Sequence, residues 1–370
     1  MTRRELPLRL AAGAVLAARW TEPALAARAL AAGEAPPETV WLNANENPEG
    51  PCPAALEAMA ETLAHAGRYH YQHQRDFLTA VARSEGLERE QVLIGAGSSE
   101  ILQVAVYAFT APDRPLIFPE PTFELPAGIA RALGHPVVPV PLTERFTADV
   151  KRLVAEAERA GGGLIYLCNP NNPTSTITSR AELAWIVDNL PPRTVLLVDE
   201  AYIHFSDDPE LESAIGYACQ EREVVVARTF SKIYGLAGLR VGFACARPEL
   251  IARMAALRSN VVSWVSARAV MASLAQLPGL VAERRRRLAA LRSELCRWLA
   301  ERGYSCLEPH GNFVMIDVRR HVREVIAEMV RRGVAPGRPF PPLDTFLRVS
   351  IGTPAEMDKF RQVFSEVMAL

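Results

Sequence analysis

The feature that most constrains the fold is an alternation. Short apolar runs recur at residues 92–94, 115–118, 137–140, 164–167, 195–198 and 224–227. Segments of helical period separate them, with helices expected at 101–109, 123–133, 147–157 and 179–189. Runs that are apolar at every position, rather than at alternate ones, belong to strands covered on both faces. Such strands joined by helices predict an α/β protein with a mostly parallel sheet sandwiched between helical layers. In sheets of that kind a ligand sits outside the carboxyl ends of the strands.

Past residue 243 the pattern changes. Helices are expected at 248–257, 266–275 and 278–302, then strand 313–317, helix 319–332, strand 346–350 and a closing helix from 354. That is a smaller α+β unit. With 370 residues the chain is long enough for two cores. The expected division is 1–37 a leader or arm, 38–70 the N-terminal arm of the fold, 71–260 a large domain and 261–370 a small C-terminal domain.

A net charge of −1 gives no general case for nucleic acid or an acidic membrane as partner. The arginine run 284–287 is read as the solvated face of the long helix. Six scattered cysteines contain no C-x-x-C pair and read as free thiols. His70 and His73 could share a helical face, but without partner ligands no metal site is expected. Thr2-Arg3-Arg4-Glu5-Leu6 ahead of the apolar run 10–18 resembles a twin-arginine export signal, although Pro7 and Arg19 interrupt the pattern. The alternative is an amphipathic arm lying on the fold, so the expected location is the cytoplasm or, with a working leader, the periplasm. The run is too short to span a membrane.

Polar motifs fall where the strands end. They are Gly97-Ser98-Ser99, Phe123, Asn169-Pro170-Asn171-Asn172-Pro173-Thr174, Asp199-Glu200-Ala201-Tyr202 and Ser231-Lys232. Strand, glycine turn and helix start at Gly97 make an anion site, because free N–H groups and the helix dipole point outward there. Glu100 stands where a dinucleotide fingerprint would need a third glycine, which excludes that reading. Lys232 lies between Thr229, Ser231 and the glycines 235, 238 and 242, which are expected to keep the backbone loose, and Arg240 follows it. This suits an amine bonded to a carbonyl cofactor whose phosphate is gripped nearby. Taken alone, the stretch also fits a surface lysine in a turn.

In order and spacing, Asn45-Glu46-Asn47-Pro48, Gly97-Ser98-Ser99, Asn171-Asn172-Pro173-Thr174, Asp199-Glu200-Ala201-Tyr202, Ser231-Lys232 and Arg240 resemble the class I/II aminotransferases. Within that family, Asn45-Glu46-Asn47-Pro48, Arg68-Tyr69 and the stretch 347–353 are most similar to histidinol-phosphate aminotransferases. The resemblance covers roughly residues 40–370. It implies the type I fold of enzymes that use pyridoxal 5′-phosphate, and transfer of an amino group from an amino acid or related amine to a 2-oxo acid such as 2-oxoglutarate. Lys232 would condense with the cofactor's carbonyl and later move the proton. Asp199 would face the ring nitrogen, and Asn172 with Tyr202 the ring's phenolic oxygen. Phe123 would stack on the ring, while Gly97, Ser98, Ser99, Thr229, Ser231 and Arg240 would hold the phosphate. Arg348 would take the substrate carboxylate, with Asn45 beside it. Tyr69 would reach the neighbouring subunit's phosphate, implying a homodimer.

Two departures stand out. Ser175 occupies a place where the family usually has glycine. The stretch 333–342 matches only loosely the segment that supplies a substrate-phosphate arginine, with Arg338 as candidate, which puts histidinol phosphate in question. Two other readings keep the fold. One is a lyase, decarboxylase or oxidase with the same cofactor, and the other is a non-catalytic ligand-sensing module, disfavoured by the short stretch before residue 40.

Overall fold

The computed structural model describes residues 35–369; the leader reading for residues 1–34 lies outside the described residues. Strand β1 (Val40–Leu42) precedes helices α1 (Pro53–Leu63) and α2 (Gln74–Ser84). The alternation then runs β2 (Val92–Gly95), α3 (Ser98–Phe109), β3 (Leu116–Glu120), α4 (Leu125–Ala132), β4 (Val137–Pro141) and α5 (Val150–Arg159). It continues through β5 (Gly163–Cys168), α6 (Arg180–Asp188), β6 (Thr194–Asp199), the single turn α7 (Ile215–Ala218) and β7 (Val224–Thr229). Strand β8 (Gly242–Cys245) leads to α8 (Pro248–Ala255), α9 (Trp264–Leu274) and the long α10 (Gly279–Ala300). The chain ends with β9 (Ser305–Cys306), β10 (Phe313–Asp317), α11 (Val322–Arg331), β11 (Val334–Pro336), β12 (Phe346–Ser350) and α12 (Pro354–Met368).

Seven strands form the main sheet in the order β2-β8-β7-β6-β5-β3-β4. Every pairing is parallel except those of β8, which runs against both β2 and β7. Strands β5, β6 and β7 are buried along their whole length. Alternate residues feed two separate cores: Leu164 and Tyr166 pack into one with α3, while Ile165 and Leu167 pack into the other. That is the physical counterpart of runs apolar at every position. Because β2, β3, β5, β6 and β7 all point one way, their following loops gather on a single edge. The smaller unit holds the antiparallel sheet β12-β10-β9, and β1 pairs in parallel with β11, tying the segment before Asn45 to the C-terminal part.

Three expectations need correction. Gly242 does not loosen a loop but opens the buried strand β8, which periodicity did not reveal because only four residues carry it. A side chain there would run into the backbone of Gly97 and Ser98, so glycine lets two strand ends close up. Helix α3 begins at Ser98 rather than Ile101, which puts Ser98 and Ser99 in its first turn. Arg284 does not face solvent: it is 3% exposed and donates to the carbonyls of Ile233 at 2.9 Å and Gly50 at 2.7 Å. One carbonyl lies in the loop after Lys232 and the other in the N-terminal arm, and the guanidinium bridges both, with the Asn47 amide as a second donor to Ile233. All six cysteines are free thiols. Among the described residues no single helix is long and apolar enough to cross a membrane.

Candidate active site

Lys232 follows the end of β7, where the fully buried strand must give way to polar backbone. The Thr229 hydroxyl donates to the Ser231 hydroxyl at 2.9 Å and accepts from the Ser231 N–H at 3.1 Å, so the turn is fixed by its own side chains. This aims the Lys232 ammonium across the edge, where it donates to the Ala44 carbonyl at 2.8 Å and lies 5.8 Å from the Tyr202 ring centre. Desolvation, and then the Arg348 and Arg240 guanidinia, lower its pKa to about 8, against the opposing pull of Glu46 and Asp199.

Beside it is an anion-binding end. Gly97 caps α3 in the left-handed region, at φ 82°, and contributes no side chain to the helix's first turn. A Cβ there would strike the Arg240 guanidinium, so glycine is what admits the arginine to the helix start. Arg240, itself at φ 53°, donates to the Ala237 carbonyl at 2.9 Å and reaches the Ser99 hydroxyl at 3.5 Å. Glu100 turns away from this end: its carboxylate accepts from the N–H groups of Ala96 at 2.6 Å and Asn260 at 3.0 Å.

Asp199 closes β6 and is 3% exposed. Its carboxylate accepts from the Tyr166 hydroxyl at 3.0 Å and the Ala201 N–H at 3.2 Å. Burial raises its pKa to about 6, with both hydrogen bonds opposing. Tyr166 is entirely buried in β5 and was not visible as a site residue, since its position in an apolar run reads as core. Tyr202 is also buried, which pushes its phenol up, and its hydroxyl accepts from the Asn45 amide at 3.1 Å. Asn45 is held in the left-handed region at φ 52° by Ser350, whose hydroxyl accepts from its N–H at 2.8 Å and donates to its side-chain oxygen at 3.0 Å.

Asn172 and Tyr202, expected to share the ring's phenolic oxygen, each have a protein partner of their own. The Asn172 side-chain oxygen accepts from Arg348 at 2.8 Å, so it orients a guanidinium. Arg348 also donates to the Asn43 carbonyl and is 3% exposed. Its guanidinium stacks 4.6 Å from the Phe340 ring centre, and Arg338 lies over the same ring at 4.2 Å. Arg338 does not stand open as a waiting cation: it forms an ion pair with Glu124 and donates to the Pro339 carbonyl at 3.0 Å. Glu124 and Phe340 both escaped the sequence reading, having no motif of their own. Phe123, half-buried, packs on the α3 side of the sheet.

Tyr69 is not drawn into this chain's site; it is 75% exposed and stacks on Tyr71 at 5.1 Å. His70 and His73 lie against Trp264 at 5.7 and 5.0 Å. One group of ligand-type side chains among the described residues, Asp208, Glu308 and His310, comes together without any spacing signal.

The donors fit a phosphorylated aromatic aldehyde. Its phosphate would meet the α3 start with Ser98, Ser99, Thr229, Ser231 and Arg240, where the side-chain-free Gly97 leaves the cradle open. The buried Asp199 carboxylate suits a protonated ring nitrogen, and the Lys232 amine feels the charges of both Asp199 and Arg240.

The pattern that describes the family "Aminotransferase class I and II" matches residues 37–364. The chain is 36% identical over 327 residues to the histidinol-phosphate aminotransferase of Symbiobacterium thermophilum, covering 87% of this chain and 89% of that one. It is 34% identical to the aromatic amino acid aminotransferase of Rhodococcus jostii, covering 88% and 89%. The solved structure of histidinol-phosphate aminotransferase from Sinorhizobium meliloti in complex with pyridoxal-5′-phosphate superposes with a TM-score of 0.84 at 27% identity, covering 90% and 91%.

Proposed function

This chain belongs to the class I and II aminotransferases and works with pyridoxal 5′-phosphate, and we propose that Lys232 carries the transfer of an amino group from donor to 2-oxo acid. The carrying observation is the Lys232 amine, desolvated to a pKa of about 8 at the meeting point of Asp199, Arg240 and Arg348. The bound cofactor supplies an electrophilic carbonyl and a ring that withdraws electrons from the reacting carbon. Lys232 is neutral over part of the physiological range, so it can attack a carbonyl and afterwards take a proton from one carbon and return it to another. Asp199, its carboxylate kept in place by Tyr166, would supply the negative charge that holds a ring nitrogen protonated. Asn45 orients the Tyr202 hydroxyl. Arg348, braced by Asn172, presents a planar fork to the donor's carboxylate.

The donor class turns on Arg338. We propose donors with a distal anion, histidinol phosphate among them, in which the half-exposed Glu124 gives up its guanidinium partner to the substrate. Histidinol phosphate has no α-carboxylate, so for that donor Arg348 would meet the phosphate with Arg338 assisting. A second reading, a neutral aromatic donor, is favoured by one observation: Glu124 already balances Arg338 above the Phe340 ring. Following the cofactor's absorbance in half-reactions against a panel of amines tests both. Rapid conversion by anionic donors alone supports the first, and by aromatic donors alone the second. Absence of conversion by every amine contradicts the assignment of Lys232 chemistry.

We also propose a homodimer, with Tyr69 entering the second copy's site. Tyr69, Tyr71, Leu56 and Leu63 expose 75%, 62%, 52% and 63% of their surface, more apolar area than an isolated chain gains from showing. Sedimentation at assay concentration checks this, and a fully active monomer refutes it.

A further inference from the structure

Ser175 is the departure that the proposed chemistry does not use. It is wholly buried and sits at φ 65°, the left-handed region that glycine enters without penalty and serine does not. A serine kept there is held by its surroundings. Its N–H donates to the Asn171 carbonyl at 2.8 Å, which closes the loop carrying Asn172. On the other side it reaches the smaller unit. The Ser175 carbonyl accepts from the His310 N–H at 2.9 Å, and its hydroxyl accepts from the Gly311 N–H at 2.7 Å. Gly311 is shaped to this contact, since a Cβ would lie 3.0 Å from the Ser175 hydroxyl and 2.7 Å from the Phe313 ring.

From Gly311 the hydrogen bonds continue toward the site. The Asn312 amide donates to the carbonyls of Asn45 and Glu46, both at 3.0 Å. The Asn45 amide donates to the Tyr202 hydroxyl, and the neighbouring Ala44 carbonyl receives the Lys232 ammonium at 2.8 Å. One continuous path therefore runs from the Asn172 loop, through Ser175, Gly311 and Asn312, to the groups that touch Lys232.

We propose that Ser175 is a positioning residue: its hydroxyl sets the register of Gly311 and Asn312, and through Asn45 and Ala44 it fixes where the Lys232 amine stands. The inference rests on Lys232 being the reactive amine, so its test must separate the two. Four charged groups face that amine: Arg348 and Arg240 oppose its charge, and Glu46 and Asp199 favour it. Desolvation outweighs them all, so loosening the Ala44 contact and admitting water should raise the amine's pKa toward the ordinary lysine value.

Ser175→Gly and Ser175→Ala both remove the hydroxyl, but only glycine also relieves the backbone, so an effect common to both belongs to the hydroxyl. The first readout is the pH dependence of Lys232 acylation in the cofactor-free protein, located by peptide mass spectrometry. The second is the pH midpoint of the visible absorbance of the pyridoxal-phosphate-loaded protein. Both variants are expected to move the acylation midpoint upward by at least about half a unit, and to displace the absorbance midpoint from its wild-type value. Asn312→Ala should give the same shift, and the double variant Ser175→Gly/Asn312→Ala no more than either single one, as expected of residues on one path. Midpoints equal to wild type, with only the melting temperature changed, would make Ser175 a structural residue and overturn the proposal. Wild-type protein whose spectrum does not respond to pyridoxal phosphate would instead overturn the Lys232 assignment, while the acylation midpoints would still judge the path.

Discussion

The two arginines over Phe340 lie side by side yet are built differently. Arg348 projects from the middle of the antiparallel β12-β10 pair, is 3% exposed, and is fixed by Asn172 and by the Asn43 carbonyl. Arg338 sits in the loop after the short β11, and its ionic partner Glu124 has half its side chain in water. Arg348 is held in one orientation by acceptors from two other segments, as a planar fork that meets a carboxylate requires. A rim guanidinium with a carboxylate already on it binds an anion only by exchange. We propose that Arg348 serves every donor carrying the matching anion and that Arg338 discriminates among them.

Removing the floor of the site should do more harm than removing either arginine. Lys232→Ala loses proton transfer, which by itself contributes about 10²–10⁴-fold, together with the amine that bonds the cofactor. Steady-state turnover with 2-oxoglutarate as acceptor checks this, and residual turnover within tenfold of wild type would be inconsistent with it. Arg348→Ala should lower kcat/KM for α-carboxylate donors by roughly 10- to 100-fold, the worth of a charge-assisted contact. Arg338→Ala should cost as much for a donor with a distal anion and nothing for a neutral aromatic donor. Equal losses for both donors would erase the contrast between the arginines and leave Arg338 with a structural role.

A smaller effect concerns pH. Burial raises the Asp199 pKa to about 6 in the cofactor-free protein, so below that value the carboxylate must first lose a proton before it can face a protonated ring nitrogen. The sign for stability without the cofactor is the reverse. With a folded pKa above the unfolded value near 3.9, the native state binds more protons between the two, so Asp199 makes stability fall as pH rises across that window and costs its full penalty above it. Cofactor retention measured from pH 5 to 8 should weaken toward the acid side, and Asp199→Asn should flatten the profile. An unaltered acid limb in that variant would assign it to another group.

Much of the sheet edge was legible because burial on two faces imposes an apolar run, and a polar residue directly after such a run stands out. Lys232, Asp199 and Ser231 were found that way, and the family resemblance supplied their roles. Tyr166 was hidden because its hydroxyl serves Asp199 from inside a strand that looks like core. Arg284 was misread because charge on a helix usually marks its wet face, whereas here two loop carbonyls accept its guanidinium inside the fold. Glu124 and Ser175 act across contacts between segments far apart in the chain, and no local pattern encodes a partner of that kind.

The central claim is that Lys232 is the amine that bonds the cofactor. Borohydride reduction of the pyridoxal-phosphate-loaded protein, followed by proteolysis and mass spectrometry of the peptides, reads this directly. The cofactor should be found on the peptide containing Ser231-Lys232 and on no other. A reduced cofactor on Lys151 or Lys359, or on the N-terminal amine, would contradict the account.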